Sequence, residues 1–373
     1  MDKHILKYVD LAKQWEIEKE FLLPVIEEVL ASGSYIGGEK VSDFETRVAE
    51  ICKTKFAVAL NSGTDALVCS LYALGIKRGD EVITPPNSFI ASTSSIVHLG
   101  ATPVFVDVLE DQNIDPNRII EAITPKTKAI MPVHLTGRVC EMDKILEIAK
   151  KYNLLVIEDS AQSIGSVFNG QMSGSFGDAG CFSAHPLKNL NACGDGGFVV
   201  TNSETLCDRI KRLRNHGLVD RNIVEEFAHV SRMDVLQASI LVERLKNLDE
   251  VISVRQKNAG IYDSLLDKNF VSRPLPRERC IDTFHTYVIQ VDNRDILFNY
   301  LNKKGIETAI HYPVPIHLQP AAKFLGYKRG DFPICETQSE RILSLPIHQN
   351  LQTSEIERVA TTINTFFQNG SRD

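Results

Sequence analysis

Nowhere in its 373 residues does the sequence hold a run of about 18 apolar residues, so no membrane-spanning helix is expected. The opening stretch, MDKHILKYVDLAKQWEIEKE, lacks the unbroken apolar core of a signal peptide. Positive charge is not in excess. The net charge is -7 and the isoelectric point is near 5.9, which argues against nucleic acid as a main partner. A phosphate-bearing ligand must therefore be held by local donors rather than by the field of the whole chain. The eight cysteines, at 52, 69, 140, 181, 193, 207, 280 and 335, include no CxxC pair, so no zinc site is expected. Cysteines scattered in this way suit a reducing compartment, and the expected location is the cytoplasm. No internal repeat or low-complexity segment stands out.

What is present is ordinary globular composition, 43% hydrophobic and 24% charged, in a chain long enough for two domains. Apolar residues at helical spacing (Phe21, Leu22, Val25, Ile26, Val29, Leu30) predict an amphipathic helix over 15–32, and a second helix begins near Val41. From residue 56 strand and helix patterns alternate: FAVAL, DALVCSLYALG, EVITP, SFIASTSSIVHLG, PVFVDV, KAIMPV, MDKILEIAKKYN, LLVIED. Continuous apolar strands between helices predict an α/β fold with a mainly parallel sheet buried on both faces. GCFSA and GGFVVTN follow with little helix between them, which suggests an antiparallel strand or an edge. A long helix is expected from about Val235 to Ala259, with Ile240, Leu241, Leu245 and Leu248 on its apolar face. Strand HTYVIQV, helix RDILFNYLNKKG and a last helix near 353–367 read as a smaller α+β unit. The expected domains are residues 1–250 and 251–373.

The chemistry concentrates in two segments, LLVIEDSAQS at 154–163 and GCFSAHPLKNLNACGDGGF at 180–198. A buried strand ends in Glu158-Asp159, and a later polar loop carries Lys188. Alone, Asp159 reads as a helix cap and Lys188 as a solvated lysine. Together, an acid at the carboxyl end of a strand and a loop lysine suit pyridoxal phosphate, the lysine as Schiff-base nucleophile and the acid as partner of the pyridine nitrogen. In NSGTDAL, a strand–loop–helix junction, small residues and free N–H groups make Gly63 and Thr64 candidates for holding a phosphate. Ser62 or Thr64 also fits as a helix cap, and the two roles are compatible.

NSGTDAL at 61–67, PPNSFIAS at 85–92, EDSAQSIG at 158–165, GDAGCFSAHPLKNLNACGDGGFV at 177–199 and IHYPVPIHLQP at 310–320 occur in this order. Together they resemble the nucleotide-sugar aminotransferases of the DegT/StrS family, pyridoxal phosphate enzymes of fold type I, from about Ile36 to about Gln349. The resemblance implies that Phe89 stacks on the cofactor ring, although the residues alone leave it as ordinary core. It implies that Gln162 contacts the cofactor's phenolic oxygen, that Ser183 joins the phosphate cup, and that Lys188 shuttles the proton. His185 reads either as a substrate contact or as a structural imidazole. Relatives with histidine in place of the lysine perform dehydration, so Lys188 supports aminotransfer.

The resemblance further implies a homodimer, glutamate as amino donor and a nucleotide-diphospho-sugar as acceptor. Asp65 after Gly63-Thr64 resembles the branch that aminates C-3 of a dTDP-linked 3-keto-6-deoxy sugar; C-4 amination, a sugar dehydratase and a non-catalytic sensor of the same fold stand as alternatives. One departure stands out. Val230, in HVSRMD at 229–234, falls where the family places an asparagine that reaches the partner subunit's phosphate. Arg232 or Ser231 is left to substitute, and Arg232 is the candidate substrate contact across the dimer. Its competing reading is an ion pair with an acid on its own subunit.

Overall fold

The computed structural model describes residues 5–369; the outermost residues of the two expected domains, 1–4 and 370–373, and the first residues of the stretch read for a signal peptide lie outside them. The chain opens with α1 (Leu11–Ser32), capped by Asp10, and α2 (Glu39–Cys52). It then alternates through β1 (Phe56–Leu60), α3 (Gly63–Ala73), β2 (Glu81–Thr84), α4 (Ile90–His98), β3 (Thr102–Phe105), α5 (Pro116–Ala122), β4 (Thr127–Ile130), α6 (Met142–Tyr152) and β5 (Leu155–Asp159). A short hairpin of β6 (Val167–Phe168) and β7 (Gln171–Met172) leads into β8 (Ala179–Ser183) and β9 (Gly197–Thr201). There follow α7 (Glu204–Leu213), α8 (Val235–Leu245), α9 (Leu248–Leu265), β10 (Tyr287–Gln290), α10 (Arg294–Lys303), α11 (Pro333–Arg341), β11 (Ile342–Leu345) and α12 (Thr353–Gln368).

Seven strands form one sheet in the order β1-β9-β8-β5-β4-β2-β3. Neighbours from β3 to β8 pair in parallel, whereas β9 runs antiparallel to both β8 and β1. The strand at 197–201 is thus antiparallel but interior; β1 and β3 form the edges. Side chains alternate across each strand. Ala57 and Ala59 of β1 join Phe182, Phe198 and Val200 beneath α2 and α8, where the Phe182 and Phe198 rings stack 4.8 Å apart. Val58 and Leu60 join Cys181 and Val199 beneath α3 and α7 on the other face. Burial of both faces explains why the strands carry apolar residues without interruption. This is the expected α/β fold of type I.

The single helix expected over 235–259 is two. α8 stops at Leu245, and α9 starts after Asn247, whose φ and ψ of -110° and 7° are not helical. Leu245, Leu248 and Ile252 pack in the sheet core, whereas Ala259 and Tyr262 pack in a separate core. The change from one core to the other thus falls within α9, and the break before it sits at a residue type that competes poorly for helical backbone. The second core brings α9, α10 and α12 onto the antiparallel pair β10–β11, and Leu6 enters it from the start of the chain. Among the described residues, no helix is long and apolar enough to cross a membrane.

Candidate active site

Parallel strands direct their carboxyl ends to one edge of a sheet, where the loops that follow can build a site. β1, β2, β4, β5 and β8 end at that edge, and the antiparallel β9 begins there, with Gly197 opposite both Leu60 and Ser183. A cavity of about 350 Å³ opens at this place. Gly63, Thr64, Phe89, Asp159, Gln162, Ser183, His185 and Lys188 all line it. Their separation in sequence, from 63 to 188, is closed by the strand order alone.

β5 explains why one of its two acids serves the cavity. Successive side chains of a strand point to opposite faces. Glu158 is fully buried away from the cavity, 2.8 Å from His134 Nε2, and accepts the N–H groups of Gly174, Phe176 and Gly177 at 2.7–2.8 Å. The Cys140 N–H donates to His134 Nδ1 at 3.2 Å, so the ring proton lies on Nε2, towards Glu158. Asp159, next in the strand, lines the cavity. The Ser92 hydroxyl donates to its Oδ2 at 2.6 Å and the Ala161 N–H to its Oδ1 at 3.2 Å. These two donors fix the carboxylate, and the sequence reading passed over Ser92 inside PPNSFIAS.

At the other wall, Ser62 caps α3, its hydroxyl accepting the Asp65 N–H at 3.1 Å. The first N–H groups of a helix have no intrahelical partner. Those of Gly63 and Thr64, both of which line the cavity, therefore stay available to an anion. Gly63 lies against Ser183: a Cβ on it would come 2.6 Å from Ser183 Cβ. A Cβ on Gly197 would collide with the Ser62 carbonyl. Gln162 Oε1 accepts the Thr136 N–H at 2.7 Å, which turns its amide NH2, a donor, towards Tyr312. Phe89 is 55% exposed and packs on Tyr312 with ring centroids 5.8 Å apart. It is a cavity wall rather than core.

Lys188 Nζ stands 3.4 Å from His285 Nε2. Burial lowers the Lys188 amine to about 8, with the Asp159 carboxylate opposing the shift. Burial, then the Lys188 charge, holds His285 well below the usual imidazole value. His285, His311 and Tyr312 complete the cavity. His311 and Tyr312 fall in the IHYPVPIHLQP segment without a role having been assigned to either; His285 carries no local signal at all. His185 sits at the exposed rim, its Nδ1 accepting the Leu187 N–H at 3.3 Å.

Arg232 does not join this set. It lies outside the cavity, and its Nη1 donates to Asn215 Oδ1 at 2.9 Å, an amide where an acid was the competing expectation. Ser231 is buried and donates to Asn61 Oδ1 at 3.2 Å, and Val230 is partly exposed beside Asn215. The cavity's donor set fits pyridoxal phosphate: a helix N-terminus beside a glycine cradle for the phosphate, an aromatic face, a carboxylate held by two donors, and a buried amine.

The family model described as "DegT/DnrJ/EryC1/StrS aminotransferase family" matches residues 16–364. The chain is 41% identical to dTDP-3-amino-3,6-dideoxy-alpha-D-galactopyranose transaminase of Aneurinibacillus thermoaerophilus, covering 97% of this chain and 98% of that one. It is 40% identical to UDP-N-acetyl-3-dehydro-alpha-D-glucosamine 3-aminotransferase of Acidithiobacillus ferrooxidans, over 95% and 96% of the two chains. It is 38% identical to a protein of Geobacillus stearothermophilus called a pleiotropic regulatory protein, over 96% and 98%. Among solved structures, S. venezuelae DesV in complex with a ketimine intermediate superposes with a TM-score of 0.95 at 37% identity, over 97% and 98%. The PLP-form of the putative sugar aminotransferase Spr1654 from Streptococcus pneumoniae gives 0.88 at 29%, over 94% and 96%. The fold, the cavity and these likenesses agree: the chain belongs to the DegT/DnrJ/EryC1/StrS aminotransferase family and is a pyridoxal-phosphate-dependent aminotransferase whose relatives act on nucleotide-linked sugars.

Proposed function

We propose that the enzyme moves an amino group from glutamate to C-3 of a nucleotide-linked keto sugar, a dTDP-3-keto-6-deoxyhexose. The observation that carries the reaction class is Lys188, Asp159 and Gln162 lining one cavity with the α3 N-terminus. The C-3 position rests on Asp65 after Gly63-Thr64, and on two relatives whose names place the nitrogen at C-3. C-4 amination is the competing outcome. A dehydratase is disfavoured by Lys188. The regulatory name of the Geobacillus relative raises a sensor without turnover, and the complete catalytic set favours turnover.

Bound pyridoxal phosphate supplies an aldehyde that takes up amines and a ring that spreads the electrons of a breaking C–H bond. In our reading Lys188 is the nucleophile that anchors it, and then carries a proton at Nζ between cofactor and substrate carbon. A buried amine lowered to about 8 suits both tasks near neutral pH. Asp159, oriented by Ser92 and Ala161, keeps a proton on the ring nitrogen. Gly63, Thr64 and Ser183 hold the phosphate, Phe89 covers the ring, Gln162 donates to the phenolic oxygen, and His185 meets the sugar at the rim.

A homodimer is part of the proposal. Phe227, 98% exposed, and Val219, Ile223, Val224 and Val230 expose apolar side chains in the segment that precedes Arg232, and Ile17, Leu23 and Leu30 do so on α1, a pattern that favours burial against a second copy. Arg232 would then reach the neighbouring site. The cytoplasm is the proposed location, supported by eight cysteines that are all free.

The test is a product screen. Purified enzyme, glutamate and a panel of dTDP- and UDP-linked 3-keto and 4-keto sugars are incubated, and the aminated carbon is assigned by NMR. A C-3 amino product from the dTDP-linked 3-keto sugar is expected; amination at C-4 alone would replace that assignment.

A further inference from the structure

A second, smaller cavity of about 40 Å³ adjoins the first and shares Leu187, His285 and His311 with it. Its other walls include Tyr8, Arg255 and His348. Arg255, on α9, is 4% exposed, and no carboxylate of the described residues pairs with it. Its Nη1 donates to the carbonyls of Phe284 and His285 at 3.1 and 3.3 Å, and its Nη2 to Gln349 Oε1 at 3.2 Å. Its Nε is buried with no partner, as are Nδ1 of His285 and Nδ1 of His348. A buried guanidinium without a counter-charge is costly, and such groups are normally paired. The surrounding imidazoles do not add charge. Burial, then the Lys188 charge, lowers His311 to about 4, and burial, then Arg255, lowers His348 to about 4. The result is a small, singly positive chamber with three unused nitrogens, adjoining the cavity that holds the lysine.

We propose that this chamber, walled by Arg255, His285, His311 and His348, takes a carboxylate group of the amino donor. The proposal deepens the function above and rests on its amino-acid donor. A volume of about 40 Å³ holds one or two water-sized groups, the scale of a carboxylate and too small for a sugar or a diphosphate. Arginine offers two parallel N–H groups to a carboxylate. His285 Nε2 faces Lys188 Nζ at 3.4 Å, so a proton on Nδ1 leaves Nε2 to accept from the amine and gives the chamber a donor. One imidazole would then touch both the lysine and the donor's carboxylate, fixing the amino acid relative to the base. The Tyr8 ring packs 5.8 Å from that of His311, and His311 Nδ1 is 2.9 Å from Ser344 Oγ, which locks the chamber wall to β11.

The two halves of the reaction separate the proposal from its premise. With cofactor-loaded enzyme, glutamate bleaches the visible absorbance; with pyridoxamine-loaded enzyme, the keto sugar restores it. Arg255→Gln is expected to raise KM for glutamate roughly 100-fold and leave KM for the keto sugar unchanged, with Arg255→Lys recovering part of the loss. Glutarate, a dicarboxylate without an amine, should compete with glutamate and raise the Tm of the wild-type protein, and should do neither in Arg255→Gln. Both KM values rising together, or glutarate protecting Arg255→Gln as it does the wild type, would overturn the proposal. If Arg255→Gln does not fold, the same glutarate measurement on His348→Gln decides: undiminished protection overturns the chamber, and diminished protection supports it. Arg255-dependent bleaching by glutamate supports the chamber even where no keto sugar accepts the amine, the result that removes the proposed acceptor alone.

Discussion

At the scale of single residues, Lys188 and Asp159 divide the work by environment. Asp159 is fixed by two donors at the strand end, and Lys188 is set by burial. Only the neutral amine attacks an aldehyde. With the amine lowered to about 8 from 10.5, loading of cofactor-free protein with pyridoxal phosphate is expected to accelerate up to about pH 8 and level off above it. Stopped-flow absorbance across pH 6 to 11, roughly the range that brackets both values, measures this. A rate still climbing towards pH 10 would refute the lowered value. The sign for stability runs the same way. Between about 8 and 10.5 the unfolded lysine holds more proton than the folded one, so the lysine's contribution to stability rises with pH over that window and is flat on either side. The residue scale also holds the limits of reading a sequence: Asp159 was legible as the acid at a strand's end, but Ser92, which orients it, looks like any serine in a helix.

At the scale of elements, the site is a product of strand direction and close contact. β5 sends Glu158 to the His134 pair and Asp159 to the cavity because side chains alternate. α3 meets β8 and β9 at glycines. Gly63→Ala would place a methyl 2.6 Å from Ser183 Cβ, so the first turn of α3, with the N–H groups of Gly63 and Thr64, must shift away from Ser183. The expected cost is about 1–3 kcal/mol of stability, as for other overpacked sites, together with weaker cofactor binding. Thermal unfolding of the cofactor-free protein and titration with pyridoxal phosphate read the two effects apart. Unchanged affinity with lowered stability would mean that the cradle is structural only. The break between α8 and α9 belongs to this scale as well: the apolar spacing of 235–259 is continuous in sequence, and the non-helical backbone of Asn247 interrupts it.

At the scale of the whole molecule, two cores meet over the cavity. The division into residues 1–250 and 251–373 remains our proposal for the domains, with Leu6 packing across it into the second core. Arg232 lies outside the cavity of its own chain, and in the proposed homodimer it would reach the partner's site. Lys188→Ala and Arg232→Ala chains mixed into verified hybrid dimers are therefore expected to regain activity, because one site per hybrid is then intact. With each parent inactive, no recovery would place both residues in the same site or assign Arg232 to folding.

The sequence by itself determined the alternation that makes a mainly parallel α/β sheet, and it picked out the acid and the lysine that we propose for the chemistry and that line one cavity. Both are local signals: periodicity follows from which faces are buried, and Asp159 and Lys188 sit next to recognisable strand ends. The tertiary structure alone decided that β9 is interior and antiparallel, that α8 and α9 are separate, that His285, His311 and Tyr312 line one cavity with Lys188, and that Arg255 lines the smaller cavity adjoining it. Apart from His311 and Tyr312, which fall in IHYPVPIHLQP, those residues lie on segments whose own patterns describe only helices and strands. Their role arises from packing one core against the other, and no short stretch of sequence encodes a contact made across the chain.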